Sequence, residues 1–403
     1  LAGRRDHRSG DAGEAAGLTA WTRRGALGAG LALPFTPMAQ AAAAAVDVPI
    51  RMDENMPWTP VWLDGQGPFR FRVASSSNVF HVSEALAKRL SLEIAAGQNL
   101  ISNGRYNRKV TNLYRVKQMV VGGELPLTEI RLIPMGGDDE NEPSYPGTIP
   151  IPSDRITSFE WNRGLMRYSP ELPAEAASYG KVPLRHSDIK LGWMPKVDCR
   201  IAGKPVRLSL NTSSPYGVTL HPDAVKRLGF WDGPGPAYER PGAVRGRVVQ
   251  IRMARRGDLQ LGGLNFERPV LGMYDPAEVL MDRNENDDGT IGMDVLHRVD
   301  LIFDPKRDMS WMRPTAAMTA PWRYDRAGFQ IGMRDGVRRF VRIDPGSPAE
   351  RAGLLMTDAI NLTNAGILQL LAAQHAPAGT KLDIPIRRNG VPQRVSVVLE
   401  ERL

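Results

Sequence analysis

Three landmarks recur along this chain, in the same order and at nearly the same spacing. A Ser-rich turn, Ala74-Ser75-Ser76-Ser77, returns 137 residues later as Asn211-Thr212-Ser213-Ser214. A Gly-Gly pair at 122–123 returns at 262–263, an offset of 140. Gly147-Thr148-Ile149 returns as Gly289-Thr290-Ile291, an offset of 142. Such agreement indicates an internal duplication, so the local pattern of one half decides the architecture of both.

That pattern is one of short strands. Each half opens on a strand pair about a turn, Val61–Phe71 in the first and Cys199–Leu208 in the second. The Ser-rich turn then leads to a short helix, Ser83–Leu90 or Pro222–Leu228. Ser83 is a natural N-cap, and Pro222 suits a first helical turn. The Gly-Gly pairs sit between alternating apolar runs and read as hairpin turns. Each half closes on a strand ending in Trp161 or Trp311. Composition agrees: 40 Gly and 32 Pro in 403 residues favour many turns over long helices. An all-β, two-lobed fold is expected.

Charge and cysteine usage exclude several classes. Lys plus Arg is 52 against 44 Asp plus Glu, a net +8, with no basic block interleaved with aromatics. A nucleic-acid partner is therefore not expected. The single Cys199 excludes an internal disulfide framework and a Cys-based zinc site, and reads as a small buried hydrophobe. The six His lack the spacing of a helical metal pair, so no metal and no cofactor are expected. His81 and His221 each follow a Ser-rich turn, but no Gly-x-Ser-x-Gly elbow accompanies them. Asn211-Thr212-Ser213 and Asn361-Leu362-Thr363 match the glycosylation sequon by chance.

The N-terminal 1–45 reads as an export signal. Arg23-Arg24 opens an uncharged run from Gly25 to Val46 that ends in small residues after Ala39-Gln40-Ala41. The adjacent arginines make it twin-arginine-like, with a general secretory signal as the alternative. Pro34 and Pro37 argue against a retained membrane anchor. A periplasmic or secreted location follows.

Strand, Asp-Thr/Ser-Gly turn, helix, hairpin and closing hydrophobic-Gly motif resemble the retropepsin and pepsin-like aspartic peptidases. The second half carries the likeness best, in Leu208–Leu220, Asp288–Leu296 and Ile302-Phe303-Asp304. The resemblance spans about 46 to 314. It implies lobes at 46–168 and 186–314 about a pseudo-two-fold cleft, joined by a linker at 169–185. In that family each turn donates one Asp, and the two carboxylates share a proton. Here those positions hold Ala74 and Asn211, and the turn glycines are Ser76 and Ser213. The first lobe's closing Gly is Pro150. An amide cannot take a proton at ordinary pH, and Ala offers no polar atom. The resemblance further implies that Ser75 and Thr212 hydrogen-bond across the lobes; Ser77 and Ser214 also persist. A pseudo-peptidase that holds an extended peptide or protein segment is expected. The alternatives are an active endopeptidase using Asp287, Asp288 or Asp294 as substitute acids, and a structural envelope protein without a ligand. Asp287 and Asp288 read as part of a solvated acidic loop, and Asp294 as a fold-stabilising carboxylate. Two lobes in one chain need no dimer, so a monomer is expected.

After a second linker, Thr315–Pro321, residues 320–403 resemble a bacterial, circularly permuted PDZ domain. Gly328-Phe329-Gln330-Ile331 matches the carboxylate-binding loop and its strand, and Val341–Leu354 matches the strand, turn and helix that follow. The Asn389-Gly390 pair predicts a closing hairpin. The resemblance implies a groove beside a helix over Gly366–His375. That groove would take an extended peptide as an added strand, with loop N–H groups capturing a C-terminal carboxylate.

Overall fold

The computed structural model describes residues 44–403, except 78, 105–106, 136–144, 187–194, 245–246, 279–286 and 335. Nearly all of the expected export signal lies outside them. The described residues are mainly β-strand, and none of their helices is long and apolar enough to cross a membrane.

Six strands of the first half close into a barrel. Met56–Leu63 pairs with Gln66–Ala74, which runs parallel to Gly147–Pro150. The ring continues through Phe80–Ser83, Leu125–Met135 and Asn107–Val121, and returns to Met56–Leu63. The second half repeats these pairings. Lys204–Leu210 lies antiparallel to Pro195–Ile201 and parallel to Gly289–Ile291, which pairs with Val218–Leu220. Val218–Leu220 then runs parallel to Leu271–Tyr274, and that strand meets Arg247–Ala254. One difference is that the hairpin at Gly262-Gly263 is built from separate short strands, Leu259–Leu261 and Leu264–Phe266.

Local chemistry accounts for these elements. Along Lys204–Leu210, Val206, Leu208 and Leu210 face the core and their neighbours do not, the two-residue period of a half-buried strand. The helix Glu84–Arg89 starts where Ser83 Oγ accepts the Leu86 N–H at 3.1 Å. The helix Pro222–Leu228 ends at Gly229, in the left-handed conformation. The Gly of Gly-Thr-Ile recurs because no Cβ fits in either half: it would lie 2.3 Å from the Phe71 ring at Gly147 and 2.0 Å from Thr219 O at Gly289.

An antiparallel layer joins the halves. Its order is Val46–Pro49, Leu165–Ser169, Ile156–Glu160, Val299–Asp304, Met309–Pro314, Gly180–His186. The central contact, Ser158 opposite Ile302, joins the strands that close each half. The order is palindromic: each half adds its closing pair and then the strand that opens it. Residues 169–185 were expected as a linker, yet Gly180–His186 is the last strand of this layer, and Ala174–Ser178 forms a 3-10 turn. One hydrophobic core, from Val48 to Tyr324, runs through both halves.

Residues from Phe329 onward form an α+β region with its own core around Phe329, Phe340, Ile384 and Val397. Its five antiparallel strands lie in chain order, from Phe329–Arg334 to Val391–Val398. Asn389-Gly390 makes the last turn as expected, and the helix over Asn364–Ala373 starts two residues earlier than read, where Thr363 caps it. The connection at 315–321 is not a free tether. Arg298, 1 % exposed, donates to the carbonyls of Ala317, Met318, Ala320 and Pro321 at 2.7–3.3 Å and stacks on Trp322 at 3.6 Å.

Candidate functional site

The two Ser-rich turns meet at the centre of the molecule. Ser75 Oγ donates to Leu210 O at 2.6 Å and accepts the Thr212 N–H at 3.0 Å. Thr212 Oγ1 donates to Val73 O at 2.7 Å and accepts the Ser75 N–H at 2.9 Å. Both residues are fully buried. Each half thus gives one hydroxyl to the other half's backbone, and four bonds satisfy four buried main-chain groups. The turns themselves match: Ser77 N–H reaches back to Ala74 O, and Ser214 N–H to Asn211 O.

This lock brings Ala74 and Asn211 to equivalent positions of the paired turns. Ala74 is buried and Asn211 half-buried. Asn211 Oδ1 accepts the Ser213 N–H at 2.9 Å, leaving its Nδ2 as a donor. Ser77 Oγ donates to Val79 O at 2.8 Å and lies 3.4 Å from His81 Nδ1. Burial holds His81 below the usual imidazole range. Gly292 sits where a Cβ would lie 2.4 Å from Tyr216 O and 2.8 Å from Ser214 Oγ, and its N–H donates to Gly217 O. The matching residue of the first half, Pro150, has no N–H to donate.

The three candidate acids are each held by other partners. Asp287, expected in a solvated loop, is 1 % exposed; it accepts from Ser209 Oγ at 2.6 Å and pairs with Lys196 at 3.2 Å. Lys196, 91 residues away in sequence, draws it inward because a buried carboxylate needs a cation. Asp288 accepts the Arg207 N–H and pairs with Arg227 at 2.7 Å. Asp294 is buried, accepts the Arg323 N–H at 3.1 Å and lies 3.9 Å from Arg298. Burial raises its pKa. Among the described residues, no carboxylate hydrogen-bonds Asn211, and no group of three or more His, Cys, Asp or Glu could hold a metal ion. Cys199 is buried, which pushes its thiol up to about 12. Positions 74 and 211 therefore offer a methyl and an amide: groups that can bind a carbonyl or exclude water, not transfer a proton.

The loop at Gly328 differs from the expectation. Asp325 Oδ1 accepts the N–H groups of both Ala327 and Gly328 at 2.8 Å, so a carboxylate of the chain itself occupies them. Arg402 bridges Asp325 at 3.1 Å and Asp344 at 2.6 Å while stacking on Tyr238 of the second half. Phe329, which the resemblance places at the carboxylate-binding loop and its strand, is 1 % exposed and packs edge-on against Phe340. A large aromatic ring at the start of that strand stabilises the fold more when buried than when exposed. Gln330 and Ile331 are half-buried, Ile331 against the same core.

No protein-family profile and no curated protein matches the chain. Among solved structures it is similar to basic 7S globulin from soybean, at 11 % identity and a TM-score of 0.40, covering 68 % of this chain and 95 % of that one. It is also similar to an aspartic proteinase from Irpex lacteus, at 12 % identity and a TM-score of 0.43, covering 69 % and 99 %.

Proposed function

We propose that this chain is an exported, bilobal member of the aspartic-peptidase-like group that binds an extended peptide or protein segment between its lobes without cutting it. The observation that carries the reading is the four-bond lock between Ser75 and Thr212, which joins two turns that carry no carboxylate. A chain that keeps a buried cross-lobe network while positions 74 and 211 hold Ala and Asn keeps the means to shape a cleft. It lacks the means of acid–base chemistry, whose loss costs about 10²–10⁴ in rate for each positioned group.

For the C-terminal region, we infer a PDZ-like module that packs against the second lobe rather than one that captures chain termini. Asp325 supports this, because a ligand carboxylate would have to displace it from the loop N–H groups.

The test is to equilibrate the full chain with a complex peptide mixture, recover what is retained and read the retained peptides by mass spectrometry. Retained peptides without new termini are expected. New termini, or no retention at all, would overturn the reading.

A further inference from the structure

Arg72 lies two residues before Ala74 on the strand Gln66–Ala74, roughly 7 Å away along it and on the same face. Phe71 and Val73 point the other way, into the core. In register across the neighbouring strands, Arg72 lies beside Thr148, and Thr148 beside His81. These three residues form a row on the face that carries position 74.

Among the described residues, the charge of Arg72 has no counterpart. Its guanidinium stacks on the Tyr145 ring at 4.2 Å, its Nε is buried without a hydrogen-bond partner, and no carboxylate of the described residues pairs with it. Arg70, the next residue outward on that face, pairs with Asp53 and lies over both Trp58, at 4.6 Å, and Tyr145, at 5.0 Å. Its Nε is also buried and unpartnered. Among the described residues, one carboxylate, Asp53, pairs with Arg70 and none with Arg72. The equivalent position of the second half, by the 137-residue offset, is Ser209, whose hydroxyl is satisfied by Asp287. Asp287 is in turn neutralised by Lys196. Among the described residues, the Ser209 side is internally balanced, and the Arg72 side carries an excess of positive charge.

Resting on the reading of the cleft as a peptide site, we propose that Arg72 is the anchor for a carboxylate of the bound segment, with Tyr145 as its platform. A guanidinium whose Nε is buried without a partner is costly, and a carboxylate offers the group two parallel hydrogen bonds that Gln or Asn cannot match. The carboxylate is that of an acidic side chain or of a chain terminus, and the two sources are separable.

The full chain is offered pools of short peptides of three kinds: amidated with one fixed Glu, amidated with Gln in its place, and acid-free with an unblocked C-terminus. The same pools are offered to Arg72→Met and Arg72→Lys, each first checked for an unchanged unfolding temperature. The natural chain should retain a carboxylate-bearing pool about tenfold or more over the Gln pool, as a charge-assisted bond implies. Arg72→Met should bring that ratio near one, and Arg72→Lys should restore part of it. The Glu pool winning assigns a side chain; the unblocked pool winning assigns a terminus. Equal retention of all pools by the natural chain, or a preference that survives Arg72→Met, would overturn the anchor while leaving the cleft reading intact. Retention of none by any protein would overturn both.

Discussion

Ser75 and Thr212 show how much depends on two hydroxyl groups. Replacing Ser75 by Ala strands Leu210 O and the Thr212 N–H in a buried site. Each unsatisfied group costs about 1–3 kcal/mol, so a loss of about 2–6 kcal/mol is expected in urea unfolding. Thr212→Val keeps the shape and strands Ser75 N–H and Val73 O, with a similar loss. Because both act in one network, the double variant should lose less than the sum. A loss within 0.5 kcal/mol for either single variant, the size of an ordinary surface change, would show that the lock is dispensable. The turn that presents these two residues was legible because it occurs twice, and their bonding across the lobes was expected only through the resemblance to the peptidase family. Arg72 and Arg298 could not. Arg298 is defined by four carbonyls in an irregular segment about 20 residues downstream, and no periodicity marks a carbonyl. Arg72 is distinguished by having no carboxylate partner among the described residues, which a linear sequence does not display.

At the scale of elements, the hairpins and helix ends were legible, since Gly pairs, a Ser cap and a helical Pro each answer a local backbone requirement. The strand Gly180–His186 was not, because its place in the layer is set by pairing with the distant Met309–Pro314. Nor was the loop at Gly328, where resemblance pointed to a site for a foreign carboxylate and Asp325 supplies a native one. The helix Asn364–Ala373 carries the clearest pH-dependent feature. His375, just past its end, is half-buried with its Nδ1 enclosed and unpartnered, and burial together with Arg323, Arg326 and Arg240 lowers its pKa to about 4. A histidine depressed in the folded state favours unfolding once protonated. Its contribution is fully present above the unfolded value near 6.5 and is lost as pH falls from there to about 4. A loss of about 3 kcal/mol over that window is expected, and His375→Phe should remove it from the pH profile of urea unfolding. His81 and His297, also held low by burial, leave a residual slope of the same sign. An unchanged slope in His375→Phe would mean that the ring is solvated when charged.

At the scale of the molecule, the palindromic layer and the central lock support the reading of one duplication. The three landmarks point to it because each is a turn or a close approach that would be solved in the same way in each half. Where the halves have diverged, they have done so at the centre: Pro150 against Gly292, Ala74 against Asn211, Arg72 against Ser209. The account holds that the scaffold of an aspartic-peptidase-like cleft is kept and its acid pair is not. The most direct test restores the pair. The unmodified chain and a variant carrying Ala74→Asp with Asn211→Asp are incubated with peptides from pH 3 to pH 8, and new termini are followed by mass spectrometry. The account predicts cleavage by the double variant at acid pH, sensitive to an aspartic-peptidase inhibitor, and none by the unmodified chain. Inhibitor-sensitive cleavage by the unmodified chain would contradict it and return attention to Asp287, Asp288 and Asp294.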